Sequence, residues 1–203
     1  MENIEIRFTG TFEKDPESRT IKGLAIPVES RSELIYGEFY ETIQRSAITQ
    51  DLIDNNDIKL YVNHDPSQGC FARSKYGNGS LHLFVTERGL EFETDLPDTE
   101  KGNELLQGIE RRDYDALSFG FIAGKDHFDN KPNEDGTWNR YIDEIRMIDE
   151  ISILSVKPAY SATNVNVRSL EDAKKQYEAE QLEAINSNLD AKMKEIEELV
   201  KFE

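Results

Sequence analysis

The sequence predicts a mostly β fold with helices, an α+β body that ends in a C-terminal amphipathic helix. Three observations carry this. Short stretches of alternating apolar and polar residues recur through the first two-thirds of the chain. Turn dipeptides punctuate them, namely Asn78-Gly79, Arg88-Gly89 and Asp135-Gly136. Residues 169–203, by contrast, contain neither Gly nor Pro. Many strands at such spacing imply a barrel or a sandwich.

The elements follow in order. Ile4-Glu5-Ile6-Arg7-Phe8 has the period of two of a half-buried strand. A polar turn around Pro16 leads to a second strand over residues 20–28. Residues 44–54 read as a helix, and Ile58-Lys59-Leu60-Tyr61-Val62 as a strand. Asn78-Gly79 places a hairpin turn between residues 70–76 and 80–86, and Arg88-Gly89 separates the latter from residues 90–95. A second helix is expected over residues 99–112, capped by Asp98 or Thr99, with Leu105, Leu106 and Ile109 on its apolar face. Asp135-Gly136 is the expected tip of a hairpin joining residues 118–128 to 138–148. Ile151-Ser152-Ile153-Leu154-Ser155-Val156 reads as a further strand, rich in β-branched residues.

The tail differs in kind. Leu182, Ile185, Leu189, Ile196 and Leu199 follow 3-4 heptad spacing, broken by Lys192 with Met193 alongside. Ten acidic and five basic residues give the tail −5, so the body carries −12 of the total of −17. The chain divides into a body, residues 1–168, and a helical arm, residues 169–203, for interaction or coiled-coil pairing. Such a helix is marginal alone in water, so it needs something to pack on.

Composition excludes several functions. A net charge of −17 leaves no basic face to neutralise phosphates, so nucleic acid is not an expected partner. Cys70 is the only cysteine, which precludes an intrachain disulfide and fits a reducing compartment. The N-terminus has neither a basic start nor an apolar stretch, so no signal peptide is expected. No apolar run approaches the ~20 residues of a membrane span. The chain therefore reads as cytosolic. No cofactor or metal is expected. There is no phosphate-binding Gly-rich loop and no zinc-site spacing, and the calcium-like run Asn133-Glu134-Asp135-Gly136 would put Lys131 and Ile142 at ligand positions.

Three clusters offer chemistry, in the order Asn63-His64-Asp65, Leu117-Ser118-Phe119-Gly120-Phe121, Asp149-Glu150-Ile151-Ser152. They contain a base, a nucleophile and an acid, the roles of a Ser-His-acid hydrolase, which is recognised by geometry rather than by sequence position. The order differs from those of the better-known serine hydrolases. Each signal is ordinary by itself. A serine in an apolar strand is common, and Glu150 is one of 41 acids. Asp149 competes with Glu150 for the third role, and only one of two successive strand residues can face the site. Cys70 as a rival nucleophile, or Lys157 as a rival base, finds no supporting pattern. His82 and His127 receive no role.

Five segments give the clusters a frame: Gly23-Leu24-Ala25-Ile26-Pro27-Val28, Tyr61-Val62-Asn63-His64-Asp65-Pro66, Leu117-Ser118-Phe119-Gly120-Phe121, Glu150-Ile151-Ser152-Ile153-Leu154-Ser155-Val156 and Pro158-Ala159-Tyr160. In this order and spacing the chain resembles the prohead (capsid maturation) proteases of HK97-type tailed phages, related in fold to the herpesvirus assemblins. The resemblance spans about residues 4–168 and leaves the tail uncovered. It implies a herpesvirus-protease-like closed β-barrel flanked by helices, with residues 1–168 as the protease domain. It implies His64 as base, Ser118 as nucleophile and Glu150 as third member, where assemblins place a second His. It suggests an oxyanion and substrate region around Lys157, Ala159 and Gly120, and a loop-holding role for Asp65. The implied activity is a serine endopeptidase that cuts the scaffold region of the major capsid protein, and itself. It would work in the host cytoplasm inside the assembling procapsid, as a homodimer or higher oligomer. The alternative is a catalytically unused assembly protein of the same fold.

Overall fold

The computed structural model of the chain describes residues 4–10, 12–155 and 167–200. In chain order its elements are β1 (Glu5–Gly10), β2 (Phe12–Lys14), β3 (Thr20–Pro27), β4 (Phe39–Ile43), α1 (Gln50–Asp54), β5 (Asp57–Val62), β6 (Ala72–Lys75), β7 (Asn78–Gly79), β8 (His82–Thr86), β9 (Gly89–Asp95), α2 (Glu100–Glu110), β10 (Ala116–Phe128), β11 (Trp138–Leu154) and α3 (Val167–Val200).

Two sheets form the body. The larger has seven strands in the order β1-β10-β11-β5-β6-β7, with β4 also paired to β11. The smaller runs β2-β3-β9-β8. The 17-residue β11 is the spine. It takes β10 along one edge, antiparallel, and on the other edge β4 and then β5, both parallel. Alternation in β10 sends Leu117, Phe119 and Phe121 to one face and Ser118 and Gly120 to the other. The first three join the main core with Ile58 and Leu60 of β5, Ile21 and Ile26 of β3, and Leu90 and Phe92 of β9. This inter-sheet core is the dominant burial of apolar surface and holds the strand registers in place.

The closed barrel expected from the resemblance is not found. β1 and β7 lie in one sheet and their successors β2 and β8 in the other, yet among the described residues no ladder joins the two sheets. The large sheet ends at β1 and β7, the small one at β2 and β8. β4 and β5 occupy successive halves of one β11 edge, and among the described residues β1 and β7 do not pair, so the large sheet is open.

Three local differences have clear causes. The helix expected over residues 44–54 is a 3-10 turn, Arg45–Ala47, then α1. Ile48 and Thr49 between them are extended, and the Thr49 hydroxyl accepts the Leu52 N–H to start α1 afresh. The hairpin turn lies not at Asn78-Gly79 but at Tyr76-Gly77, whose φ values of 55° and 76° are both positive, as a type I′ loop requires. Asn78 and Gly79 instead pair back onto Lys75 and Ser74. The two strands expected over residues 138–148 and 151–156, Val156 of which lies outside the described residues, are one, and bulges at Asp143, Arg146 and Asp149 of β11 and at Gly124 of β10 absorb its coil. α2 matches the reading, with Thr99 rather than Asp98 as its cap.

α3 does two things. Leu170 is buried in a second cluster with Ile35, Phe39, Phe128 and Trp138, and Ala173 and Tyr177 pack beside it. From Glu178 to Lys194 every side chain is exposed, including Leu182, Ile185, Leu189 and Met193.

Candidate functional site

The site assembles where β5 ends beside β11. Val62 pairs with Ile153, and the chain then turns sharply through Asn63 and His64, both left-handed at φ 53° and 59°. Non-glycine residues adopt this conformation at a cost. Here β11 offsets it. The Asn63 N–H donates to the Ile153 carbonyl at 2.9 Å. The Ser155 N–H donates to Asn63 Oδ1 at 3.0 Å. The His64 N–H donates to Ser152 Oγ at 3.2 Å. Asp65 then accepts the Ser67 N–H at 2.9 Å and caps the 3-10 turn Pro66–Gln68, so it holds the loop.

The turn aims the imidazole at β11. His64 Nδ1 meets Glu150 Oε1, and Ser152 Oγ donates to Glu150 Oε2 at 2.5 Å. Glu150 and Ser152, two apart in the strand, lie on one face. Asp149, the extra residue of a bulge between Ile148 and Glu150, lies 3.8 Å from Lys59 Nζ instead. Among the described residues the geometry thus brings Glu150, and not Asp149, to His64. A carboxylate on Nδ1 sets the tautomer, with the proton on Nδ1 and the lone pair on Nε2. His64 Nε2 is buried and makes no hydrogen bond.

Ser118 is directly opposite Ser152 across the β10–β11 ladder, and Gly120 is opposite Glu150. Cross-strand partners share a face, with Cβ atoms roughly 5 Å apart. Ser118 therefore lies one side chain from the His64–Glu150 pair. Its hydroxyl is fully buried and donates to the Arg7 carbonyl of β1 at 2.8 Å rather than to His64. Around Ser118, over Leu117–Phe121, β10 is paired on both edges, by β1 and by β11, so an added peptide strand finds no free edge of β10 there. Space at Gly120 is tight: a Cβ there would come within 3.2 Å of Ile4 Cγ2 and 3.4 Å of Glu150 Cγ. Lys157 and Ala159 lie outside the described residues.

The remaining sequence candidates stand apart. Cys70 is exposed. His127 pairs with Asp143 at 2.7 Å and stacks on Tyr141. No three His, Cys, Asp or Glu among the described residues are grouped to hold a metal. A cavity of about 740 Å³, lined by Arg7, Ile35, Glu41 and Phe119 among others, includes none of His64, Ser118 and Glu150. Two residues escaped the sequence reading as parts of this site: Ser152 and Asn63. Ser152 carried a signal in its spacing of two from Glu150. Asn63 carried one as a residue tolerant of positive φ at a strand end.

Comparison with known proteins agrees with the geometry at the coarse level. The family model of caudovirus prohead serine proteases matches residues 4–176. No curated protein and no solved structure matches the chain.

Proposed function

The chain belongs to the caudovirus prohead serine protease family, and on that premise we propose that His64, Ser118 and Glu150 are its catalytic triad. The family makes it a serine hydrolase of capsid maturation, acting within the procapsid. The observation that supports the assignment most is the pairing of Glu150 with His64 Nδ1, beside a buried Nε2 with no other partner.

The proposed chemistry uses these positions. Ser118 rotates by one staggered step, about 120° in χ1, so that its O–H leaves the Arg7 carbonyl for Nε2 of His64, which takes the proton from Oγ. The freed Oγ attacks the scissile carbonyl. The resulting imidazolium is held by Glu150, which stays ionised. The imidazolium then protonates the departing amine, leaving an acyl-Ser118. Water, deprotonated by the same imidazole, attacks the acyl carbon, and the acyl–Oγ bond breaks as the imidazolium returns its proton to Ser118 and the acid leaves. Of the oxyanion and substrate region that the resemblance suggests, Lys157 and Ala159 remain the candidates, while the close contacts at Gly120 leave no room for substrate against it.

We assign as substrate the scaffold region of the major capsid protein, and the protease itself. Confinement in a shell raises the concentration of both. A second reading, an assembly protein that does not use its site, is favoured by one observation: the Ser118 hydroxyl is buried and donates to a backbone carbonyl. One experiment separates the two. Capsid protein co-produced with the chain is weighed by mass spectrometry, with wild type and with Ser118→Ala. The protease reading expects a defined truncation with wild type alone. Identical products from both sink it.

A further inference from the structure

Ser152 has none of the three roles above, yet it touches two of the residues that do. Its side chain is fully buried. It donates to Glu150 Oε2 at 2.5 Å and accepts the His64 backbone N–H at 3.2 Å. Glu150 Oε1 in turn meets His64 Nδ1. The bonds close a ring, from the His64 backbone to Ser152, to Glu150, to the His64 imidazole. We propose that Ser152 is a positioning residue of the proteolytic site, holding carboxylate and histidine backbone together so that Nε2 faces Ser118. The inference rests on the triad reading given above.

Three considerations lead to it. First, a hydroxyl between Ile151 and Ile153 at full burial is costly unless both its donor and acceptor capacities are used. Here both are used, and both on the site. Second, a carboxylate has two oxygens and can turn. With only Oε1 engaged, the buried Oε2 would lack a partner and the carboxylate plane would drift from the imidazole. The Ser152 proton fixes that plane. Third, the left-handed turn at Asn63 and His64 relaxes unless tethered, and the Ser152 bond is the tether nearest the ring. Ser152 is not itself the nucleophile in this arrangement. Its proton is committed to Glu150, and its lone pair to the His64 N–H, so neither is offered to Nε2.

The test uses the full chain and a fluorogenic peptide spanning the junction found by mass spectrometry of the capsid protein. Ser152→Ala is expected to lower kcat about 10–100-fold with KM unchanged, since small misplacements of catalytic groups have effects of this size. Ser152→Thr, which keeps the hydroxyl, is expected to recover most of the loss. In isotope-labelled protein the downfield Nδ1–H proton of His64 should be sharp in wild type, Ser118→Ala and Ser152→Thr, and broadened or lost in Ser152→Ala. If Ser152→Ala does not fold, Ser152→Cys, similar in shape but a weak donor, is read in the same way. Wild-type kcat in Ser152→Ala, or an unchanged His64 resonance, overturns the proposal. Failure of the triad reading registers separately, as cleavage that persists in Ser118→Ala.

Discussion

At the residue scale the site is a division of labour between one carboxylate and one imidazole. Glu150 is buried and its two oxygens are both engaged, one by His64 and one by Ser152. Glu150→Gln keeps the shape but replaces an acceptor with a group that can donate, so the tautomer and the imidazolium both lose support. On the triad reading kcat falls roughly ten-thousandfold, the size of effect that carboxylate-to-amide exchange has in Ser-His-Asp enzymes. Active-site titration against peptide hydrolysis checks this, and a loss under tenfold would leave Glu150 without the role. His64 and Ser118 could be singled out by residue type, order and resemblance. What the sequence could not give is the bond from Ser152 to the His64 backbone, because it depends on the β5–β11 register and on a left-handed turn. Nor could it reveal that the Ser118 hydroxyl donates to the Arg7 carbonyl, since residues 7 and 118 meet only through the β1–β10 ladder.

At the element scale, β1 and α3 are the parts whose behaviour the sequence left most open. The period-two pattern located β1, but not its place beside β10. The heptad stripe located α3, but not the point where it leaves the body. Local signals served better where a side chain acts on its own neighbourhood, as Thr99 does in accepting the Gly102 N–H at 3.2 Å to cap α2. They failed where a turn could sit at either of two adjacent dipeptides, and Tyr76-Gly77 displaced Asn78-Gly79. For α3 the packing sets a boundary at Tyr177, whose ring meets Trp138 edge-on with centroids 6.0 Å apart. Leu170→Ala should cost about 2–5 kcal/mol by opening a cavity in the second core cluster. A chain ending at Tyr177 should lose helical circular dichroism but keep its thermal midpoint and the emission of Trp138, the sole tryptophan. A drop in midpoint comparable to that of Leu170→Ala would show that the outer helix does pack on the body.

Across the whole molecule, charge is arranged in two layers with opposite pH responses. The surface layer gives the chain its −17, and this repulsion weakens as carboxylates take up protons. The inner layer is a buried cluster that ties β1, β4, β10 and β11 together. Arg7 bridges Glu5 and Glu41, each at 2.6 Å. Arg140 reaches Glu5, Glu41 and Asp126 at 2.6, 2.8 and 2.7 Å. Burial by itself pushes the Glu41 carboxyl up, but Arg7 and Arg140 together outweigh it and hold Glu41 below the usual carboxylate range. The half-buried Asp57 and Asp65 and the exposed Asp135 are also held low, by hydrogen bonds from Arg73, Ser67 and Thr137 respectively. A depressed folded pKa contributes stability that is present above the unfolded value, about 4.3 for Glu. That contribution is lost as pH falls through the folded value. Two consequences follow for thermal unfolding. At pH 7 added salt should raise the midpoint by screening the outer layer, and the effect should shrink toward pH ~5, where that layer is partly neutralised. Below pH ~4 the midpoint should fall steeply as Glu41 and its like are protonated. Glu41→Gln should lose about 3–5 kcal/mol at neutral pH, because Arg7 and Arg140 each lose a charged partner in the interior. Its acid limb should also be shallower than that of wild type, since one of the protons that drives the transition is gone. An acid limb of unchanged slope in Glu41→Gln would mean that the buried cluster does not govern the low-pH loss of the fold.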